Sequence, residues 1–210
     1  MDFPPERPAE GTLTSCGARE SDPSVRLKNF ASSAPLRFDS TMNDTESPRE
    51  REPSAALLAE LMLRAGLRLA VAESCTGGWL AKIVTDLAGS SAWLDRGFVT
   101  YSNAAKQEML GVRAETLAAR GAVSEAVVAE MAMGALSRSQ AQVAVAISGV
   151  AGPGGGSPEK PVGTVCLAWA WPKGRVETRR FHFDGDRDDV RRCSVQAAID
   201  GLVERLGDLV

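Results

Sequence analysis

A serine hydroxyl attacks a carbonyl carbon only once a base has taken its proton, and this chain is poor in the usual base. Its one histidine, His182, lies in Arg179-Arg180-Phe181-His182-Phe183, a run that alternates like a half-exposed strand. A base must then come from another side chain. Gly89-Ser90-Ser91 follows a helical pattern, a strand-like run delivers the only tyrosine, Tyr101, and Lys106 lies five residues beyond it. A lysine desolvated by burial gives up its proton more readily, and it can act on a serine directly or through a tyrosine hydroxyl. The same residues also fit an ordinary structural role, with Ser90 in a turn, Tyr101 packed on an edge and Lys106 in solvent. Spacing does not separate Ser90 from Ser91 as the reacting hydroxyl.

Two further segments offer binding groups. Ala72-Glu73-Ser74-Cys75-Thr76-Gly77-Gly78 runs from a strand pattern directly into a helix pattern. Strand ends of α/β folds form ligand crevices, and the free amides of a helix start attract anions. Gly77 and Gly78 let the backbone approach a phosphate, and Ser74 and Thr76 add hydroxyls. A tight strand-to-helix turn with Thr76 as N-cap explains the same residues. Cys75 reads as a small buried hydrophobe, because no histidine is at hand to activate it. The second segment, Ser148-Gly149-Val150-Ala151-Gly152-Pro153-Gly154-Gly155-Gly156-Ser157, opens from an apolar strand pattern and continues to Lys160-Pro161-Val162-Gly163-Thr164. Around Gly149 and Gly152 a ligand can meet bare backbone, although a plain connection reads the same way. The loop matches neither a P-loop nor a dinucleotide fingerprint, since no glycine-started helix follows it.

Arg187 sits in Gly185-Asp186-Arg187-Asp188-Asp189, where Asp186 and Asp189 form a capping-box pattern. Arg187 can pair with these carboxylates or hold a phosphate. Cys16, Cys75, Cys166 and Cys193 are far apart and make no CxxC pair, so no metal site is expected.

These groups need a scaffold. Helical spacing covers 55–65, 77–87, 104–110 and 114–119. Another helix starts from Ser124 and carries Val127, Val128, Met131 and Leu136. A final helix starts near Asp186 and aligns Val195, Ile199, Leu202 and Leu206. Strand-like runs cover 67–72, 98–101, 143–147, 162–171 and 176–183, the last two joined by a turn at Pro172-Lys173-Gly174. The order predicts an α/β fold, a three-layer α/β/α arrangement around a mixed, partly parallel sheet, with parallel pairing early and a hairpin late.

The chain has 210 residues, 44% of them hydrophobic, and a formal net charge of −3. One domain plus a tail is the natural division. Residues 1–53 are rich in Pro, Ser and charge, lack Ile, Trp and Tyr, and read as a disordered N-terminal tail; residues 54–210 read as the folded domain. Met42, late in the tail, is a candidate translation start that natural peptides from upstream of it would refute. The acidic balance gives no sign of a nucleic-acid partner. No apolar run approaches the roughly 20 residues that span a bilayer, and no secretory stretch opens the chain. A cytoplasmic location is therefore expected. An exposed face rich in Val, Met or Trp would support a homo-oligomer.

Taken in order, Ala72-Glu73-Ser74-Cys75-Thr76-Gly77-Gly78, Gly89-Ser90-Ser91, Tyr101-Ser102-Asn103, Lys106, Gly121-Ala122-Val123-Ser124, Ser148-Gly149-Val150-Ala151-Gly152-Pro153 and Lys160-Pro161-Val162-Gly163-Thr164 resemble one family. It is the CinA C-terminal domain family, and within it the stand-alone nicotinamide-nucleotide amidohydrolases. The resemblance runs from about residue 55 to the C-terminus. It implies hydrolysis of the carboxamide of nicotinamide mononucleotide to nicotinic acid mononucleotide and ammonia. By the resemblance Ser91 is the nucleophile, with Tyr101 and Lys106 as its partners and backbone amides around the oxyanion. The helix start at Thr76-Gly77-Gly78 and the loop around Gly152 are the expected seats of phosphate and ribose. The pyridinium charge activates the carboxamide carbon, so no metal or other cofactor is expected. The alternative is a non-catalytic pyridine-nucleotide-binding module linked to competence or damage response.

Overall fold

The computed structural model describes residues 55–207, so the 1–53 tail lies outside the described residues. In chain order the elements are α1 (Ala56–Ala65), β1 (Leu69–Glu73), α2 (Trp79–Thr85), a 3-10 turn at Ser90–Ala92 and β2 (Leu94–Val99). There follow α3 (Asn103–Leu110), α4 (Ala114–Arg120), α5 (Glu125–Ser137), β3 (Val143–Gly149), β4 (Thr164–Ala170), β5 (Val176–His182) and α6 (Arg187–Gly207). The sheet order is β2-β1-β3-β4-β5. β1 pairs in parallel with β2 and β3, whereas β4 runs antiparallel to β3 and β5. The expected mixed α/β sheet is therefore present. No helix among the described residues is long and apolar enough to cross a membrane.

The three inner strands alternate large and small side chains, and successive residues of a strand face opposite ways. Val71, Val145, Ile147, Leu167 and Trp169 project to one face, where they pack with Leu58 and Met62 of α1, Leu80 and Val84 of α2, and Ile199 and Leu202 of α6. Ala70, Ala72, Ala144, Ala146, Ala168 and Ala170 form the other face. Val127, Val128 and Met131 of α5 cover that face, with Leu110 of α3 and Leu117 of α4 beside them. Small residues let α5 and its neighbours approach closely. Gly134 in α5 marks the tightest point, since a Cβ there would lie 2.0 Å from the Leu110 carbonyl oxygen.

Local signals hold at several ends. Ser124 Oγ accepts the Val127 amide at 3.3 Å and caps α5. Asp186 Oδ1 accepts the amides of Asp188 and Asp189, and the Asp186 amide returns to Asp189 Oδ2, closing the capping box before α6. One strand differs from the sequence pattern. β2 begins at Leu94, earlier than the β-branched run suggests, and ends before Tyr101. Asp95, Arg96 and Gly97 carry no strand signal of their own; pairing with β1 makes them a strand, and their polarity suits an outer edge.

Glu73 joins three of these elements at the end of β1. Its carboxylate is fully buried and accepts the amides of Gly78 at 3.0 Å, Leu80 at 3.1 Å and Ala81 at 2.9 Å. Those are the donors a helix start leaves unpaired, and an anion is favoured there. The Glu73 carbonyl accepts the Thr100 amide at 2.8 Å, which fixes the chain leaving β2.

Two stability predictions follow from this packing. Gly134→Ala should cost about 1–3 kcal/mol through overpacking against Leu110. Glu73→Gln, which loses the charge and one acceptor in a buried site, should cost about 3 kcal/mol. Urea unfolding of both variants against wild type would check these values; unchanged midpoints would contradict the packing.

Candidate active site

The turn after β1 and the start of α3 meet at the carboxyl ends of the parallel strands, where α/β sheets form their crevices. Ser74 is buried; its amide donates to the Ile147 carbonyl at 3.0 Å and its carbonyl accepts the Gly77 amide at 3.1 Å. Across the crevice Ser102 Oγ caps α3 by accepting the Ala105 amide at 3.0 Å. The next residue, Lys106, points inward and is only 1% exposed. Its Nζ donates to Ser74 Oγ at 2.9 Å and to the Thr100 carbonyl at 2.8 Å. It forms no ion pair with a carboxylate among the described residues. Burial pushes the Lys106 amine below the ordinary lysine range, with the neighbouring Cys75 opposing in part. An amine that burial shifts toward its neutral form, within hydrogen-bond reach of a serine, is placed to act as its base.

The amides of Cys75 and Thr76, directly after Ser74, donate to no backbone carbonyl among the described residues. Two consecutive amides after a nucleophile, neither held by a backbone carbonyl, can receive the negative oxygen of a tetrahedral intermediate. The Thr76 hydroxyl is buried beside them without a partner among the described residues. Cys75 is not a competing nucleophile, because burial pushes its thiol up to about 11.

Ser91 is elsewhere. It is exposed in the 3-10 turn that precedes β2, at the amino end of the strand whose carboxyl end leads to Tyr101. The six residues of β2 alone separate the two by roughly 16 Å at the usual rise of a strand. The structure does not bring Ser91 to Lys106; the serine it brings there is Ser74. The strand-end rule would have pointed the same way had the start of β2 been legible, because Ser91 precedes its strand and Ser74 follows one.

At the expected phosphate seat Thr76-Gly77-Gly78 the amides beyond Thr76 are already engaged. Gly78, Leu80 and Ala81 give their amides to Glu73, Gly77 to the Ser74 carbonyl and Trp79 to the Thr76 carbonyl. The buried carboxylate occupies the place an anion would take. Gly149 closes the opposite wall, where a Cβ would lie 2.7 Å from Val165 Cγ2 and 3.2 Å from Cys75 Sγ. Gly152, at φ +81°, abuts Val162 and offers its carbonyl to Arg187 Nη1 at 2.7 Å. Arg187 Nη2 lies 3.0 Å from the Tyr101 hydroxyl, so Tyr101, Arg187 and Gly152 do come together. Tyr101 is 62% exposed. Arg191 donates from Nε to the Cys75 carbonyl and from Nη2 to the Thr76 carbonyl, both at 3.1 Å. A cavity of about 570 Å³ opens between Ala151, Pro153, Val162, Arg187 and Arg191. Among the described residues no three His, Cys, Asp or Glu side chains cluster as metal ligands.

Comparison with known proteins agrees with this architecture. The family model described as the CinA C-terminal domain matches residues 51–206. The nicotinamide-nucleotide amidohydrolase PncC of Escherichia coli is 62% identical over 137 residues, covering 65% of this chain and 83% of that protein. PncC of Enterobacter agglomerans is 55% identical over 159 residues, covering 76% and 92%. Among solved structures, a competence-damaged protein (CinA) superfamily protein from Klebsiella pneumoniae superimposes with a TM-score of 0.71 at 45% identity, covering 73% of this chain and 96% of its own. A competence/damage-inducible protein from Agrobacterium tumefaciens gives 0.68 at 45% identity, covering 75% and 99%. The chain belongs to the CinA C-terminal domain family.

Proposed function

We propose that this chain hydrolyses the carboxamide of nicotinamide mononucleotide to nicotinic acid mononucleotide and ammonia, with Ser74 as nucleophile and Lys106 as its base. The 2.9 Å hydrogen bond from the buried, unpaired Lys106 to Ser74 carries the reading. The names of the PncC relatives supply the substrate class.

The reaction runs in two halves. Lys106 takes the Ser74 proton as Oγ attacks the carboxamide carbon, and the oxygen that becomes negative turns to the amides of Cys75 and Thr76. The C–N bond then breaks as the amine takes up the proton that Lys106 had accepted and leaves as ammonia, which returns Lys106 to its neutral form. Tyr101 is the second proton carrier, its hydroxyl held by Arg187. Water, deprotonated by Lys106, attacks the acyl ester; the acid product leaves and Ser74 regains its proton. The fixed pyridinium charge withdraws electrons from the carboxamide, which lowers the barrier to attack. A module that only bound the nucleotide would have no use for a buried lysine, shifted by burial toward its neutral form, on a buried serine.

Ammonia release from nicotinamide mononucleotide, with free nicotinamide as control and chelator present, tests the activity. Ser74→Ala and Lys106→Met should each lower kcat about 10³-fold, whereas Ser91→Ala should stay near wild type. Full turnover by Ser74→Ala would overturn the assignment. Tyr101→Phe should lower kcat about a hundredfold with little change in KM.

The pH profile has a defined sign. Only neutral Lys106 accepts a proton, and burial shifts it toward the neutral form. Consequently kcat/KM should rise with pH through an apparent pKa below the ordinary lysine value. A profile flat across that range would exclude Lys106 as the base.

A further inference from the structure

On the alanine face, the inner strands end in three small polar side chains. Ser74 continues the alternation of Ala70 and Ala72, Ser148 that of Ala144 and Ala146, and Cys166 stands opposite Ser148 across the antiparallel pair. Neighbouring strands lie about 4.8 Å apart, so Cys166 is roughly 10 Å from Ser74 along this row. There a cavity of about 170 Å³ opens, with Arg120, Ser124, Glu125, Lys160, Cys166 and Arg180 in its walls.

Its charge is uncompensated. Most arginines elsewhere face carboxylates, as Arg113 does Glu130 and Arg205 does Glu177, while Arg138 and Arg187 bond to carbonyl or hydroxyl oxygens. Among the described residues, Arg120, Lys160 and Arg180 form no ion pair. Lys160 Nζ donates to the Arg120 carbonyl at 2.6 Å and Arg180 to the Glu159 carbonyl, neutral acceptors that hold the cations in place without cancelling their charge. The Arg120 guanidinium has no hydrogen-bond partner among the described residues. Glu125, which accepts from the Thr178 hydroxyl at 3.0 Å, is the one carboxylate of the wall. Three cations against one carboxylate leave the cavity positive, and the amino end of α5 at Glu125 and Ala126 adds to it. Like charges gathered around a hollow repel unless an anion joins them.

We infer that this cavity holds the phosphate of the substrate nucleotide, leaving the carboxamide at Ser74. The inference rests on the amidohydrolase reading above. It also accounts for the helix start of α2 being closed to anions, since the phosphate has its own seat two strands away. A mononucleotide is long enough to join the two points.

The test compares nicotinamide mononucleotide with nicotinamide riboside, which lacks only the phosphate. In Arg120→Gln and Arg180→Gln the kcat/KM preference for the nucleotide over the riboside should fall roughly 10- to 100-fold, mainly through KM. Arg120→Gln removes no contact of the folded chain, so its result does not depend on refolding. An unchanged preference, or an equal loss on both substrates, would overturn the assignment. If wild type released ammonia from neither compound, the amidohydrolase reading would fail by itself. Calorimetric titration with inorganic phosphate would then judge the cavity: binding that weakens in both variants supports the seat, and absent or unaffected binding refutes it.

Discussion

The carboxylate of Glu73 is the contact on which the rest of the site depends. A carboxylate removed from water is costly unless donors replace the solvent, and here the replacement is three amides of one helix start. No cation pairs with it among the described residues. The arrangement clamps α2 to the end of β1 and leaves Ser74, the next residue, in a fixed turn. Through its own carbonyl the same residue holds Thr100, whose carbonyl is the second acceptor of Lys106. Both oxygens that Lys106 meets are thus set by one residue, one through the chain and one across the sheet.

The electrostatics of Lys106 follow from what surrounds it. A carboxylate partner would stabilise the charged amine and keep its proton on. The lysine instead meets a hydroxyl and a carbonyl, which accept hydrogen bonds without cancelling the charge, while burial disfavours that charge. Holding such a group inside the fold costs stability, and sites built for proton transfer commonly carry that cost. The arginines on the outer surfaces follow the opposite rule and mostly pair with carboxylates, which makes the unpaired group around the smaller cavity distinctive.

The division of the sheet into a bulky face and an alanine face decides where chemistry can sit. α1, α2 and α6 cover the bulky face with a continuous apolar layer. On the alanine face the small residues admit α5, and at the strand ends they give way to Ser74, Ser148 and Cys166. Lys106 and the positive cavity lie on that side, and the Tyr101–Arg187–Gly152 bridge spans the rim.

Much of the fold was legible in the sequence because it rests on local rules: strand alternation, the Ser124 cap and the Asp186–Asp189 capping box. Lys106 and Tyr101 also stood out, since one histidine on an exposed strand left few other bases. The pairing of Lys106 with Ser74 did not. The two lie 32 positions apart, and nothing in their spacing shows that β1 and β2 end side by side. The resemblance pairs Ser91 with Lys106, but Ser91 precedes β2 while the carboxyl end of that strand leads to Tyr101 and Lys106. The glycines of the α2 turn looked free to bind phosphate because a sequence does not show that Glu73 folds back onto their amides. Sequence alone determined which side chains could react and which elements form; strand direction and the burial of one carboxylate and one lysine decided which of them meet, because proximity and desolvation exist only once the sheet has closed.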